Sequence, residues 1–412
     1  MLTQIAGVAH KAQAVRALRH GNYRWFWFGS SGRAMGHGMQ FLILGWLVLE
    51  LTGSASQLGL VIFLYGIPNM TLVLFGGIFA DRIDRRMMLI TSQAAVTLII
   101  FALAVLTVTD LISMWQVYTG ALALGILQAL NMPSRMAIVA DLVEPSDLMN
   151  AVALNSAVMN SGRILGPALA GGIIELMDTG SAFYLNAACY LVGTLCLWPI
   201  KGLSRPKPAQ RNGVSRDLLD GLRYLWTTPL AFTVIGMGFA FGFFGMPYVQ
   251  VMPAFAREVL SASAGGAGLL LTAGGLGSLV GTIALASLGN APHKNWILMG
   301  AFVTFSLGLS LFAWSTWFWV SWSFLLLVGA GGSIIISMIT TILQLTVPGP
   351  LQGRVLSIWY VAAGLMFAGS LPLAFIGDAL SWPAAITGGA VLCLLIGCWL
   401  GLLRPTLRRV AI

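Results

Sequence analysis

Twelve apolar runs, each near or above the ~20 residues that a helix needs to cross a ~30 Å hydrocarbon core, constrain this chain more than anything else in it. They fall at about 25–50, 56–80, 87–108, 114–139, 149–175, 181–200, 230–255, 265–288, 296–314, 317–346, 355–377 and 383–403. Lipid satisfies no backbone N–H or C=O, so runs of this length must close their hydrogen bonds internally, as helices. Of the 412 residues 58% are hydrophobic and only 8% charged, which excludes a soluble globular domain. The expectation is an all-α membrane protein of twelve transmembrane helices.

Between runs two and three the chain reads Asp81-Arg-Ile-Asp-Arg-Arg86, charged at every position except Ile83. Such density belongs in water, in a tight turn, and its three arginines place the turn on the cytoplasmic side. With an even number of spans, both termini share that side. All 22 Lys and Arg except Arg33, Arg163 and Arg257 then fall there too. The expected location is the inner (plasma) membrane, multi-pass, with both termini cytoplasmic. The net charge of +9 is accounted for by this bias, so no nucleic-acid partner is expected. No compact apolar core with a small-residue cleavage site occupies the first twenty residues, so the first span is expected to act as the insertion signal. Cys189, Cys196, Cys393 and Cys398 sit inside apolar runs and read as small packing residues rather than metal ligands or disulfides.

The longest polar stretch, 201–228, divides the spans six and six. It reads as a cytoplasmic linker between an amino-terminal bundle, 1–200, and a carboxy-terminal bundle, 229–412. Val143-Glu-Pro145 before span five and Val347-Pro-Gly-Pro350 before span eleven look like a weak repeat. Pseudo-symmetric halves of this kind form a substrate site at their interface, near the midplane.

The stretch Gly77-Ile-Phe-Ala-Asp-Arg-Ile-Asp-Arg-Arg86 resembles the signature between the second and third helices of the major facilitator superfamily. It is carried here by Gly77, Ala80, Asp81, Arg82, Arg85 and Arg86, with Asp84 where many members have Gly. In span five, Gly162-Arg-Ile-Leu-Gly-Pro-Ala-Leu-Ala-Gly-Gly172 is similar to the antiporter motif of exporters, through Gly162, Arg163, Gly166, Pro167, Gly171 and Gly172. Leu51-Thr-Gly-Ser-Ala55, Pro133-Ser-Arg135 with Asp141-Leu-Val-Glu-Pro145, and Met252 to Leu260 resemble the enterobactin-exporter-like branch. The likeness implies two six-helix bundles in the major facilitator fold, and secondary transport. It also implies that Gly77, Asp81, Arg82, Arg85, Arg86 and Arg135 form a conformational gate. Asp81 would face the amino-terminal end of span eleven and pair with Arg135, against the simpler reading of a solvated, topology-setting turn. The four glycines of span five allow close backbone approach and Pro167 removes a helical N–H, which small-residue packing alone would also explain.

Polar side chains in membrane helices are costly unless they face protein or a watery cavity. Arg33, His37 and Gln40 share one face of span one, and Gln128, Asn131 and Arg135 one face of span four. Ser333, Ser337, Thr340, Thr341 and Gln344 form a stripe on span ten. The resemblance implies that helices one, four, seven and ten line the central cavity. Span seven offers Phe239 and Phe243 among glycines, either as packing or as a surface for an apolar part of a substrate. The candidate substrate-binding set is therefore Arg33, His37, Gln40, Gln128, Asn131, Phe239, Phe243, Ser337, Thr341 and Gln344.

The sign of the buried charge narrows the cargo. By rise per residue, Arg33 lies in the inner half, with His37 and Arg163 near mid-depth, while Glu50, Glu175 and Asp378 stand at outer ends. Exporters of cationic drugs usually need a buried carboxylate, and this field is the opposite. It points to an anionic or zwitterionic amphiphile, siderophore-like or drug-like. Arg163 as a structural donor and Arg33 reaching to the inner headgroups are the competing readings. The arginine usual in the fourth helix before Gly125 is Leu124, and His37 stands where relatives often carry Asp. His37 is then the candidate for an exchanged proton, against a neutral histidine bonded to a carbonyl. The expected function is export by proton antiport. An uptake permease or lipid flippase of the same fold is the alternative, and a non-transporting receptor or scaffold the alternative of another class. Expected partners are a small-molecule substrate, protons and membrane lipid around a monomer, with no cofactor, no metal and no catalytic residue.

Overall fold

The computed structural model describes residues 15–82, 84–201, 214–289 and 294–403, without the side chains of 73–82, 214–218, 294, 350, 402 and 403. Among the described residues every regular element is a helix. The first six spans are α1 (Gly21–Thr52), α2 (Ala55–Arg82), α3 (Arg85–Val108), α4 (Met114–Leu142), α5 (Leu148–Leu176) and α6 (Thr179–Leu195). A shorter α7 (Val214–Thr227) folds out of the expected linker. Leu219, Leu222 and Leu225 recur on it at helical spacing, and Leu225 is buried in the core. Arg354 Nη1 donates to Asp220 at 2.8 Å and fastens α7 to the helix of span eleven.

Span seven departs from the expected continuous helix over 230–255. It runs as α8 (Pro229–Ala240), a single π turn at Phe241–Gly245, a 3-10 turn at Met246–Val249, and α9 (Met252–Glu258). Pro247 and Pro253 withdraw two backbone donors there. Gly242 lies so close to the Ala362 carbonyl of span eleven that no Cβ would fit. Spans eight to twelve follow as α10 (Ala264–Ser287), α11 (Lys294–Trp314), α12 (Phe318–Thr346), α13 (Gly349–Ala379) and α14 (Trp382–Leu403).

Local chemistry sets the helix ends. Asp84 caps α3, its carboxylate accepting from the N–H of Arg86 and Met87 at 2.9 and 3.2 Å. Asp178 caps α6 through the Ser181 N–H, and Ser263 caps α10 through that of Gly266. Helix α1 closes on Gly53, at φ +62°, a left-handed residue whose N–H returns to the Leu49 carbonyl. Helix α6 stops at Leu195 rather than near 200, ahead of Pro199, which cannot continue it, and Arg86 donates to the carbonyls of Leu197 and Trp198 beyond its end.

Helices α1 and α5 pack closely, as do α2 and α4, and α3 lies against both α4 and α6. Two long seams join the first six helices to the rest: α5 against α10, and α2 against α13. Both seams concentrate at the end of the bundle away from the Asp81–Arg86 turn. There Glu175 accepts from Ser263 at 2.8 Å, and Arg257 donates to the Leu49 carbonyl at 2.7 Å. Asp378, in the last turn of α13, caps α2 across the seam. Its oxygens accept from Ser56 N at 2.7 Å, Ser56 Oγ at 2.6 Å, Ala55 N at 3.3 Å and Ser54 Oγ at 3.2 Å.

Candidate functional site

A cavity of about 450 Å³ opens between the two sets of helices. Spans one, five, seven, eight, ten and eleven supply most of its wall, including Phe41, Arg163, Tyr248, Leu271, Ser333 and Trp359. The expected lining by spans one, seven and ten is present. Span four is absent from the wall, because its polar face is turned into the amino-terminal bundle. Spans five and eight take part instead, through residues that flank their glycine-rich seam.

Of the expected substrate-binding residues, His37 lines this cavity. Its ring stands edge-on to Phe41 at 5.8 Å, and its Nδ1 is buried with no hydrogen-bond partner, so the carbonyl-bonded histidine is not what the side chain makes here. Arg163 and Pro167 of the span-five motif also line the cavity. Arg163 is exposed to it, with no carboxylate within salt-bridge distance among the described residues. No Asp or Glu appears among the lining residues.

The others stand outside the wall, Gln40 and Asn131 because their side chains are spent on neighbours in the amino-terminal helices. Gln40 is buried and accepts from the Tyr190 hydroxyl at 3.0 Å. Asn131 donates to Ser92 Oγ at 2.8 Å and accepts from Arg135 Nε at 3.2 Å. Gln128 is half-buried on α4, and Phe239 is exposed on the outer side of α8. Phe243 sits in the π turn with its carbonyl pressed against Gly369. Ser337 is half-buried, Thr341 and Gln344 are exposed, and the Gln344 carbonyl accepts from Gln352 at 2.7 Å. The next turn of the same stripe, Ser333, is the one that reaches the cavity.

The gate residues are bound within their own bundle where they are described. Arg85 pairs with Asp141 of α4 at 2.7 Å, and Arg86 holds the end of α6. Arg135, fully enclosed, donates to Ser30 Oγ and Gln93 Oε1 at 2.8 Å each, and its guanidinium lies 5.3 Å from the Phe26 ring centroid. Gly77, Asp81 and Arg82 belong to the last turns of α2, and their side chains, with the expected Asp81–Arg135 pair, lie outside the described residues. In α5, Gly162 and Gly166 are pressed against the backbone of α1 at Ala34 and Gly38, and Gly171 against Ala264 of α10. Gly172 meets nothing.

Sequence reasoning passed over Gln250, 4% exposed, whose Oε1 is unpaired at the cavity wall. It also passed over a methionine set, Met159, Met246, Met252 and Met366, that makes the wall soft and adaptable. The signal for Gln250 was present: one amide beside Tyr248 in an otherwise apolar span.

The family model described as "transmembrane secretion effector", one of the major facilitator set, matches residues 12–410. The Staphyloferrin A transporter of Staphylococcus aureus (strain NCTC 8325 / PS 47) is 27% identical over 267 residues, which are 64% of this chain and 66% of that protein. The Enterobactin exporter EntS of Escherichia coli O1:K1 / APEC is 24% identical over 310 residues, 75% of this chain and 74% of that one. Among solved structures, the nucleoside transporter NupG superposes with a TM-score of 0.74 at 11% identity, covering 94% of this chain and 99% of that one, a likeness of fold. The signature turn, the motif helix, the two seams and a match over nearly the whole length make this multi-pass membrane protein a member of the major facilitator superfamily, in its transmembrane secretion effector branch.

Proposed function

We propose that the protein is a secondary transporter that exports an amphiphilic, anionic or zwitterionic organic molecule across the inner membrane in exchange for protons. The carrying observation is the cavity's charge: Arg163 and His37 on its wall and no carboxylate among its lining residues. A cationic cargo would meet an uncompensated positive field there, which desolvation strengthens. An organic acid would meet a partner. Phe41, Tyr248 and Trp359 supply apolar surface for the rest of such a molecule, and the methionines accommodate its shape.

Export rather than uptake is supported by the motif from Gly162 to Gly172 and by the EntS likeness. For coupling, His37 is the proton carrier of choice, a ring on the cavity wall whose Nδ1 has no partner to fix its tautomer. The bundles 1–200 and 229–412, joined by 201–228, would rock about the cavity. Bonds at the end where Asp378 caps α2 hold the outer face shut in the present conformation, with both termini on the cytoplasmic face.

The test is binding and transport by purified protein in liposomes. Organic anions are expected to bind in preference to cationic dyes of equal size, and efflux to accelerate with an inward proton gradient. Preference for the cations would overturn the cargo class, and efflux indifferent to the gradient would remove the antiport.

A further inference from the structure

Behind the cavity wall lies an arginine that its surroundings leave unpaired. Arg33 is 1% exposed on α1. Its Nε and Nη1 have no hydrogen-bond partner, and its Nη2 donates only to the thioether sulfur of Met159, at 3.3 Å. A thioether is a weak acceptor, and a buried guanidinium satisfied by nothing stronger is costly in a membrane protein. The neighbouring Arg135 shows the contrast, since it spends its donors on Asn131, Ser30 and Gln93. Met159 itself lines the cavity and is half-buried, so the side chain that touches the Arg33 guanidinium also forms part of the cavity wall.

We infer that Met159 is a displaceable cover over Arg33, and that the carboxylate or sulfonate of an entering cargo swings it aside and takes the guanidinium as its anchor. Methionine suits the role, being unbranched and able to change rotamer within a packed wall. A carboxylate presents two oxygens to the planar fork of an arginine, which the sulfur cannot. Arg163 draws the acid into the cavity and Arg33 is the specificity-determining contact that only an uncovered state offers. The inference rests on the reading of the cavity as a site for an organic acid and adds which residue recognises the acid group.

The test compares 2-naphthoate with its neutral isostere 2-naphthamide, by titration calorimetry on the full-length protein in detergent. For the unaltered protein, stronger binding of naphthoate is expected. Equal binding would defeat the organic-acid reading itself, and this inference with it. Met159→Leu keeps the bulk of the cover and removes its acceptor, so naphthoate affinity should rise several-fold while naphthamide is unchanged. Arg33→Gln should lower naphthoate affinity several-fold and leave naphthamide unchanged, the remaining preference being that of Arg163. A preference for naphthoate that Arg33→Gln leaves undiminished, or a Met159→Leu response shared equally by both probes, overturns the inference while leaving the organic-acid reading standing. Should Arg33→Gln fail to fold, the Met159→Leu pair of titrations decides alone.

Discussion

Single residues in this protein divide by what surrounds their charge. Arg163 faces the cavity without a carboxylate beside it, while Arg85 and Arg86, five and six positions after Ala80 in the signature turn, are spent on Asp141 and the end of α6. Arg163→Gln should therefore weaken binding of 2-naphthoate by roughly tenfold, the ~1–2 kcal/mol of one charge-assisted bond in a partly wet cavity, and leave 2-naphthamide unaffected. Calorimetric titration of both probes checks it. Asp84 gives a second prediction, on stability. As the N-cap of α3, Asp84→Ala should cost ~1 kcal/mol and Asp84→Gly only a few tenths, because glycine is itself a tolerable cap. Thermal unfolding in detergent should rank the unaltered protein and Asp84→Gly close together, with Asp84→Ala below them. That ordering explains in physical terms why both Asp and Gly serve at this place in the turn.

At the scale of elements, helix positions were legible from the sequence because hydropathy runs report the lipid boundary directly. Which face of each helix looks inward was less legible. Arg33, Gln40, Asn131 and Arg135 fall on stripes that do face protein, yet the protein they face is largely the amino-terminal bundle and not the cavity. A stripe fixes a direction around one helix, while the neighbour met in that direction depends on how helices cross. The broken span seven was hidden for a similar reason. Mean hydropathy is blind to a π turn: Pro247 and Pro253 mark lost donors in the sequence, but the close approach of Gly242 to the Ala362 carbonyl is a property of the packed helices. Gly242→Val would force a β-branched side chain into that contact. Overpacking of this kind costs ~1–3 kcal/mol, so a lower unfolding temperature is expected, together with weaker ligand binding since Gly242 lines the cavity. Unchanged thermal unfolding would show that the π turn and α13 can separate freely.

Across the whole molecule, among the described residues, each hydrogen bond between the first six helices and the later ones lies in the half of the bundle away from the charged turn. The Asp378 cap is the densest of these contacts. Asp378→Asn removes the charge and one of the two acceptor oxygens from the amino-terminal end of α2. A loss of roughly 1–2 kcal/mol from charge-assisted bonds at an exposed site would shift the balance between conformers about 5- to 30-fold toward the state open at that end. Distances between spin labels on the loops near Ser54 and Leu380 should lengthen in the variant. An unaltered distance distribution would mean the seams alone hold that end together.

Helix α5 belongs to both partnerships at once. Up to Gly166 it is keyed into α1, from Ile164 onward it leans on α10 through Thr272, Gly268 and Ala264, and Pro167 sits where the two grips overlap. A proline there deprives the Arg163 carbonyl of its helical donor. The rod is thus softest where its allegiance changes, and that softness gives any alternating motion a fulcrum: the lower shaft can stay with its own bundle while the upper shaft swings. Because the yielding carbonyl belongs to Arg163, flexing at this point would also re-aim the guanidinium that faces the cavity.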